Sequence, residues 1–163
     1  LRELVQKECG KQGIACRCIR CREIGLNEAK NQKSLDWSSL HVETIKYDAS
    51  KGKEFFIQLV DCNNLLAGFA RLRFPHEVYR SELDSFTAGV RELRVFGTQV
   101  PVEERLEGAV QHQGLGKKLL AKAEEIAEEN GFEKLAVTSG VGAREYYKKL
   151  GFEKSGAYVV KRL

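Results

Sequence analysis

The spacing of hydrophobic positions changes twice along the chain. Residues 1–34 are only weakly periodic, whereas the segment that follows contains short apolar runs with strand-like alternation. These runs predict four strands, at residues 41–47, 54–60, 65–74 and 90–96. Residues 61–64 read Asp-Cys-Asn-Asn, which is turn chemistry. We therefore predict that the second and third strands form an antiparallel hairpin.

The pattern becomes helical from Leu115 onward. Apolar residues then recur at spacings of three and four, namely Leu115, Leu119, Leu120, Ala123, Ile126 and Ala127. Asn130-Gly131 provides a helix stop. We further predict a short buried strand at residues 134–138, a helix at residues 143–150 and a last strand at residues 157–160. This order indicates an α/β fold of the α+β kind with a mixed sheet.

The opening of the long helix is the sharpest feature of the sequence. Residues 111–118 read Gln-His-Gln-Gly-Leu-Gly-Lys-Lys. Two glycines let the backbone approach a ligand closely, and the first amides of a helix lack intrahelical partners at the positive end of its dipole. Lysines in the first half of this helix and glutamates in its second half oppose that dipole. These features predict a site for an anion such as a pyrophosphate, with a solvated helix start as the alternative.

Composition and charge narrow the class of protein. The 163 residues suffice for one domain; the chain begins at Leu1 and holds no methionine, so we expect a piece of a longer protein. The net charge of +4 lies in residues 1–34, which suits a polyanion such as nucleic acid, or a solvated face. No apolar run approaches the roughly 20 residues that cross a bilayer. We expect no membrane partner and a cytoplasmic location.

Two motifs resemble those of the GNAT acetyltransferases. Gln111-x-x-Gly114-x-Gly116 is similar to the Arg/Gln-x-x-Gly-x-Gly/Ala signature of that family. Residues 143–152, Ala-Arg-Glu-Tyr-Tyr-Lys-Lys-Leu-Gly-Phe, are similar to the family's Ala-x-x-Phe-Tyr-x-x-x-Gly-Phe ending. The resemblance implies a GNAT fold over residues 35–163. In that fold acetyl-CoA enters a splay between the fourth and fifth strands of a mixed, mostly antiparallel sheet flanked by helices.

Three further stretches narrow the resemblance. They are Cys-Arg-Cys-Ile-Arg-Cys-Arg-Glu at residues 16–23, Arg-Glu-Leu-Arg-Val-Phe-Gly at residues 91–97 and Ser-Gly-Val-Gly-Ala-Arg at residues 139–144. Together they resemble the Elongator catalytic-subunit family, which modifies wobble uridine 34 of tRNA. Gly140, where many GNAT proteins carry asparagine, and the long connection before Gln111 are usual in that subfamily.

The resemblance also implies partners and further cofactors. They are tRNA, other Elongator subunits and an upstream radical-SAM domain of the same protein. The iron–sulfur cluster and S-adenosylmethionine are expected only in that upstream domain, because the chain contains no Cys-x3-Cys-x2-Cys run.

The site residues follow from the loop and the resemblance together. We expect the pyrophosphate of acetyl-CoA at Gln113, Gly114, Leu115, Gly116, Lys117 and Lys118, and its pantetheine arm beside Glu92, Leu93, Arg94 and Val95. Tyr147 matches the family aromatic that lies near the CoA sulfur and protonates the leaving thiolate. Tyr146 and Tyr147 are the candidate general acids, with core packing as the alternative. Glu92 is the candidate base that assists an attacking water.

Four of the five cysteines lie in residues 1–34. Cys16, Cys18 and Cys21 are close enough in sequence to coordinate Zn²⁺ through thiolates on a tight loop. Cys9, or a residue from elsewhere in the protein, is the candidate fourth ligand, and reduced thiols without metal are the alternative. The resemblance identifies this run as the short cysteine motif after the radical domain. Residues 1–34 are therefore a basic, Cys-rich segment and a candidate zinc-binding linker.

The loop and the resemblance together imply an acyltransferase that binds and cleaves acetyl-CoA for carboxymethyluridine formation at position 34 of tRNA. One alternative is a protein lysine N-acetyltransferase, the reaction most associated with GNAT folds. Another is a non-catalytic module that binds tRNA or CoA. The basic N-terminal segment fits the first and the last of these functions.

Overall fold

The computed structural model describes residues 1–30, 33–97 and 114–163. The helices are α1 (Arg2–Lys11), α2 (Ile19–Arg22), α3 (Ile24–Ala29), α4 (Leu115–Glu129) and α5 (Arg144–Lys148). The strands are β1 (His41–Ala49), β2 (Gly52–Val60), β3 (Leu66–Phe74), β4 (Thr87–Val95), β5 (Lys134–Thr138), β6 (Glu153–Ser155) and β7 (Tyr158–Arg162). None of the described helices combines the length and apolar character needed to span a bilayer.

The strands of the described ranges form one sheet in the order β1-β2-β3-β4-β5-β7-β6. Every neighbouring pair is antiparallel except β4 and β5, which run parallel. The predicted mixed, mostly antiparallel sheet flanked by helices is therefore confirmed. Strand β6 has no counterpart among the predicted strands, because its three residues are Glu-Lys-Ser and carry no hydrophobic alternation.

Tight turns join the first three strands. Ser50 and Lys51 both adopt positive φ between β1 and β2, which is the backbone of the hairpin turns that match strand twist. Between β2 and β3 the buried carboxylate of Asp61 accepts hydrogen bonds from the backbone amides of Asn63 and Leu65, both at 2.9 Å. The predicted hairpin of the second and third strands is confirmed.

Helix α4 packs on one face of the sheet, which we call the α4 face. Its buried residues are those that the helical spacing predicted: Leu115, Leu119, Leu120, Ala123, Ile126 and Ala127. At Gly68 of β3, an added Cβ would lie 3.2 Å from Leu119 Cδ1, so glycine lets the helix approach the strand closely. Alternation along β3 then directs Ala70 and Leu72 to the α4 face, and Arg71 and Arg73 to the opposite face.

The N-terminal segment contains three helices that weak periodicity did not predict. Helix α1 has no buried residue, which explains its faint hydrophobic pattern. Ile24 of α3 is fully buried in the core. Arg22 of α2 donates to Gln58 Oε1 at 2.9 Å and to Asn64 Oδ1 at 2.7 Å. Part of the cysteine-rich segment is thus attached to the sheet.

Candidate active site

The start of α4 has the backbone expected of an anion site. Gly114 is the N-cap and adopts the left-handed conformation, with φ 71° and ψ 14°. The described residues provide no side-chain cap, and no acidic residue lies in the first turn. The first hydrogen bond inside α4 runs from the Lys118 amide to Gly114 O, at 3.1 Å. The amides of residues 115–117 therefore have no partner within the helix and can donate to a ligand. Gln113 lies outside the described residues.

Three separate elements meet at Gly116. A Cβ atom built on Gly116 would lie 2.8 Å from Tyr146 Oη of α5 and 3.8 Å from Val95 Cγ2 of β4. The start of α4, the end of β4 and the first tyrosine of α5 therefore converge, although they are far apart in sequence. Glycine at this position lets the Tyr146 hydroxyl come close to the first turn of α4, because a side chain would collide with it.

Strands β4 and β5 pair over only part of their length. Thr87 to Val90 pair in parallel with Lys134 to Val137, and the pairing ends there. Arg71 pairs with Glu92 and Leu72 with Val90, so Arg91 is the extra residue of a β-bulge in β4. Beyond Val90, β4 continues to Val95 without a partner on β5, as the expected splay requires. A bulge bends its strand and increases its twist, which favours such a splay.

Tyr147 lies deeper than its neighbour. Its side chain is 6% exposed, against 37% for Tyr146, and its ring packs edge-on against Phe152 with centroids 5.6 Å apart. Burial, and then the adjacent Tyr146, raise the pKa of Tyr147 to about 12. Burial also raises the pKa of Tyr146. Both hydroxyls are therefore protonated at neutral pH and available as donors.

Glu92 extends from the face of the sheet opposite to α4, because it pairs with Arg71. Its carboxylate lies 3.9 Å from Arg71 Nη1 and 3.8 Å from Arg94 Nε. Leu93 and Val95 pair with Ala70 and Gly68, so their side chains lie on the α4 face. The predicted pantetheine strand thus presents aliphatic side chains on one face and ion-paired side chains on the other.

The thiols of Cys16, Cys18 and Cys21 come together as the spacing predicted. Their Sγ atoms lie within 4.8 Å of one another. The tetrahedral geometry of zinc, with Zn–S bonds of about 2.3 Å, places sulfurs roughly 3.8 Å apart, so a small adjustment would let these thiols hold the ion. Hydrogen bonding from the Cys21 backbone, and then from the Cys16 thiol, lowers the pKa of Cys18 to about 6. Cys9 is not in the cluster.

Sequence reasoning missed the residues that contact these thiols. Arg2 Nη2 lies 3.3 Å from Cys21 Sγ and 3.6 Å from Cys18 Sγ, and Gln6 Nε2 donates to Cys21 Sγ at 3.3 Å. Arg2 and Gln6 are one helical turn apart in α1, so both reach the same loop. The four-residue spacing of Arg2 and Gln6 indicates that they share a helix face, but only once α1 is known to be a helix.

The fold, the glycine-containing helix start and the splayed strands define an acetyltransferase of the GNAT class. The chain belongs to this class: the model of the Acetyltransferase (GNAT) family matches residues 24–152. Over its full length the chain is 46% identical to the tRNA uridine(34) acetyltransferase of Methanocaldococcus jannaschii and 42% identical to Elongator complex protein 3 of Homo sapiens. It spans 31% and 30% of those two proteins, about a third of their length.

A solved structure is similar over nearly the whole chain. It is the archaeal Methanocaldococcus infernus Elp3 with an N-terminal deletion, at 44% identity and a TM-score of 0.89. The similarity covers 99% of this chain and 38% of that one. These relatives confirm the resemblance to the Elongator catalytic-subunit family.

Proposed function

We propose that the chain binds acetyl-CoA in the cleft between the start of α4 and the diverging part of β4. The observation that carries this proposal is the convergence of Gly116, Val95 and Tyr146. The amides of residues 115–117 donate to the pyrophosphate, reinforced by the helix dipole. Lys117 and Lys118 add positive charge beside it. The edge of β4 that lacks a partner on β5 offers backbone groups to the amides of the pantetheine arm.

The two tyrosines serve different ends of the cofactor in this proposal. The hydroxyl of Tyr146 lies beside Gly116, at the pyrophosphate end, which favours a contact with the cofactor over proton transfer. Tyr147 is the proton donor to the leaving sulfur, because its hydroxyl stays protonated at neutral pH. A backbone amide of β4 polarises the thioester carbonyl.

Glu92 is the proposed base for an attacking water. Since its side chain lies on the face opposite to α4, the water or other acceptor must approach from that face. Arg71 and Arg94 keep the carboxylate in place beside the strand. A carboxylate in this position removes a proton as the nucleophile attacks the thioester carbon.

For the acceptor we propose tRNA, at uridine 34. The support is the similarity to tRNA uridine(34) acetyltransferases, together with the positive charge of residues 1–34, which suits an RNA backbone. We assign the chain to the acetyl-CoA half of a longer, cytoplasmic protein. Its upstream part would carry the radical-SAM domain with its iron–sulfur cluster and S-adenosylmethionine, and other Elongator subunits would be partners.

We also propose that the cysteine cluster holds a structural zinc ion. Three thiolates supply three of the four ligands that such sites use. The fourth comes from Cys9 after a movement of α1, or from another part of the protein. Arg2 and Gln6 would then donate to coordinated sulfurs and orient them.

Acetyl transfer to tRNA and to protein, measured side by side, tests the function. Labelled acetyl-CoA is incubated with this chain, and in parallel with the longer protein to which we assign it. The acceptors are tRNA with uridine at position 34, the same tRNA with another base there, and a lysine-rich peptide. We expect slow thioester cleavage that rises, in the longer protein, with the first tRNA only. Transfer to the peptide instead would favour a lysine acetyltransferase, and binding without cleavage a non-catalytic module.

A further inference from the structure

Glu54 of β2 is a buried carboxylate that no proposed step uses. Its side chain is 1% exposed. It accepts hydrogen bonds from Tyr47 Oη of β1 at 2.8 Å, from Arg71 Nη2 of β3 at 3.1 Å and from Arg91 Nη1 of β4. Arg73 Nη1 adds an ion-pair contact at 3.6 Å. One carboxylate thus connects the side chains of four consecutive strands on the face opposite to α4.

A buried ionic cluster of this kind is an inefficient way to stabilise a sheet. Removing a carboxylate from water is costly, and packed hydrophobic residues of the same volume often give equal stability. Burial by itself would raise the pKa of Glu54, but the hydrogen bonds from Tyr47, Arg71 and Arg91 outweigh it and lower the pKa to about 2. Glu54 is therefore ionised at all ordinary pH values, with its charge directed at particular partners.

The partner on β4 is the bulge residue. Arg91 is the residue that has no counterpart on β3, and the pairing of β4 with β5 ends at the residue before it. A bulge bends its strand, increases the local twist and redirects side chains. Glu54 holds the side chain of Arg91 on the face opposite to α4. This contact therefore ties β4 to β2 at the residue where the pairing with β5 has just ended, immediately before residues 92–95.

We propose that Glu54 is a positioning residue: it holds the bulge at Arg91 and thereby keeps the β4 edge in the orientation that the pantetheine arm requires. The inference rests on the proposed acetyl-CoA site and adds to it a residue two strands away. It assigns no contact between Glu54 and the cofactor. The nucleotide end of the cofactor, held by the start of α4, does not depend on Glu54.

Two ligands separate this role from general stabilisation. Acetyl-CoA uses both the α4 start and the β4 edge, whereas adenosine 3′,5′-bisphosphate, the nucleotide half of the cofactor, uses only the α4 start. For the Glu54→Gln variant, which keeps the shape and removes the charge, we expect the affinity for acetyl-CoA to fall at least tenfold by calorimetry. The affinity for the bisphosphate should stay within twofold of the original protein.

Asp61→Asn is the matched control, because Asp61 is a buried carboxylate of the β2–β3 turn that makes no contact with the bulge. It should leave the ratio of the two affinities unchanged.

Should Glu54→Gln fail to fold, Arg91→Gln serves instead, since the Arg91 side chain is 52% exposed, and the same selective loss is expected. Equal effects on both ligands, or no effect on either, would overturn the inference while leaving the cofactor site intact. Absence of acetyl-CoA binding by the unchanged protein would overturn the proposed function as well.

Discussion

Replacing Gly116 by alanine should separate stability from cofactor binding. The new methyl group would lie 2.8 Å from Tyr146 Oη and 3.8 Å from Val95 Cγ2. The first contact is with the end of a long side chain that is 37% exposed, so Tyr146 can turn aside. The methyl group then occupies the space through which a pyrophosphate oxygen would approach the amides of the first helical turn.

The substitution should affect stability and cofactor affinity in opposite directions. Alanine is favoured over glycine in a helix by up to about 1 kcal/mol, so the free energy of unfolding should stay the same or rise by at most that amount. Loss of one hydrogen bond to a charged phosphate costs about 1.5–3 kcal/mol, which is roughly a ten- to hundredfold loss in affinity. A protein that is at least as stable and binds acetyl-CoA more weakly is the expected result.

Thermal unfolding and calorimetric titration with acetyl-CoA measure the two quantities on the same sample. Gly10→Ala is the matched control, because Gly10 also lies in a helix and an added Cβ there meets no atom within 4 Å. The control should change stability slightly and affinity not at all. If Gly116→Ala binds acetyl-CoA as tightly as the control does, the pyrophosphate does not lie on the start of α4 and the site is wrongly placed.

Three further predictions concern the tyrosines, the thiols and acid stability. In the longer protein, Tyr147→Phe should lower the rate of tRNA-stimulated acetyl-CoA cleavage about a hundredfold with little change in affinity, whereas Tyr146→Phe should mainly weaken affinity. A normal tRNA-stimulated rate for Tyr147→Phe in steady-state assays would make that residue structural. Elemental analysis should find about one zinc per chain if the site is complete, and zinc retained after all three clustered cysteines are changed to serine would refute the assignment. Glu54 has a pKa lowered to about 2 from about 4.3 in an unfolded chain, so its stabilisation is complete above pH 4.3 and is lost as the pH falls through 2. Lowering the pH should therefore reduce the free energy of unfolding of the original protein by about 3 kcal/mol more than that of Glu54→Gln. Parallel curves of unfolding free energy against pH for the two proteins would contradict the ionised state of Glu54.

The parts of the fold with a strong hydrophobic period could be predicted from the sequence. The buried stripe of α4 and the hairpin of β2 and β3 follow from spacing and turn chemistry. Helix α1 could not be predicted in this way, because it buries no residue. Strand β6 is polar and three residues long, so it forms only because β7 pairs with it.

For the candidate site, the sequence predicted a set of residues but not how they are arranged. The glycine motif indicated the anion site at the start of α4, yet only the fold shows Tyr146 and Val95 beside Gly116. Nothing in the local sequence distinguishes Glu54 from a solvent-exposed glutamate, since its partners lie on three other strands. The bulge at Arg91 depends on the register between β3 and β4, which is a property of the folded sheet.

Backbone amide exchange followed by NMR, with and without acetyl-CoA, tests the central claim most directly. We predict that acetyl-CoA slows exchange, or shifts the amide signals, at residues 115–117 of α4 and at residues 92–95 of β4, and leaves the amides of α1 unchanged. We predict that adenosine 3′,5′-bisphosphate affects the amides of residues 115–117 and leaves those of residues 92–95 unchanged. Acetyl-CoA that binds without affecting either segment, or that affects only residues elsewhere in the chain, would contradict the proposed cleft.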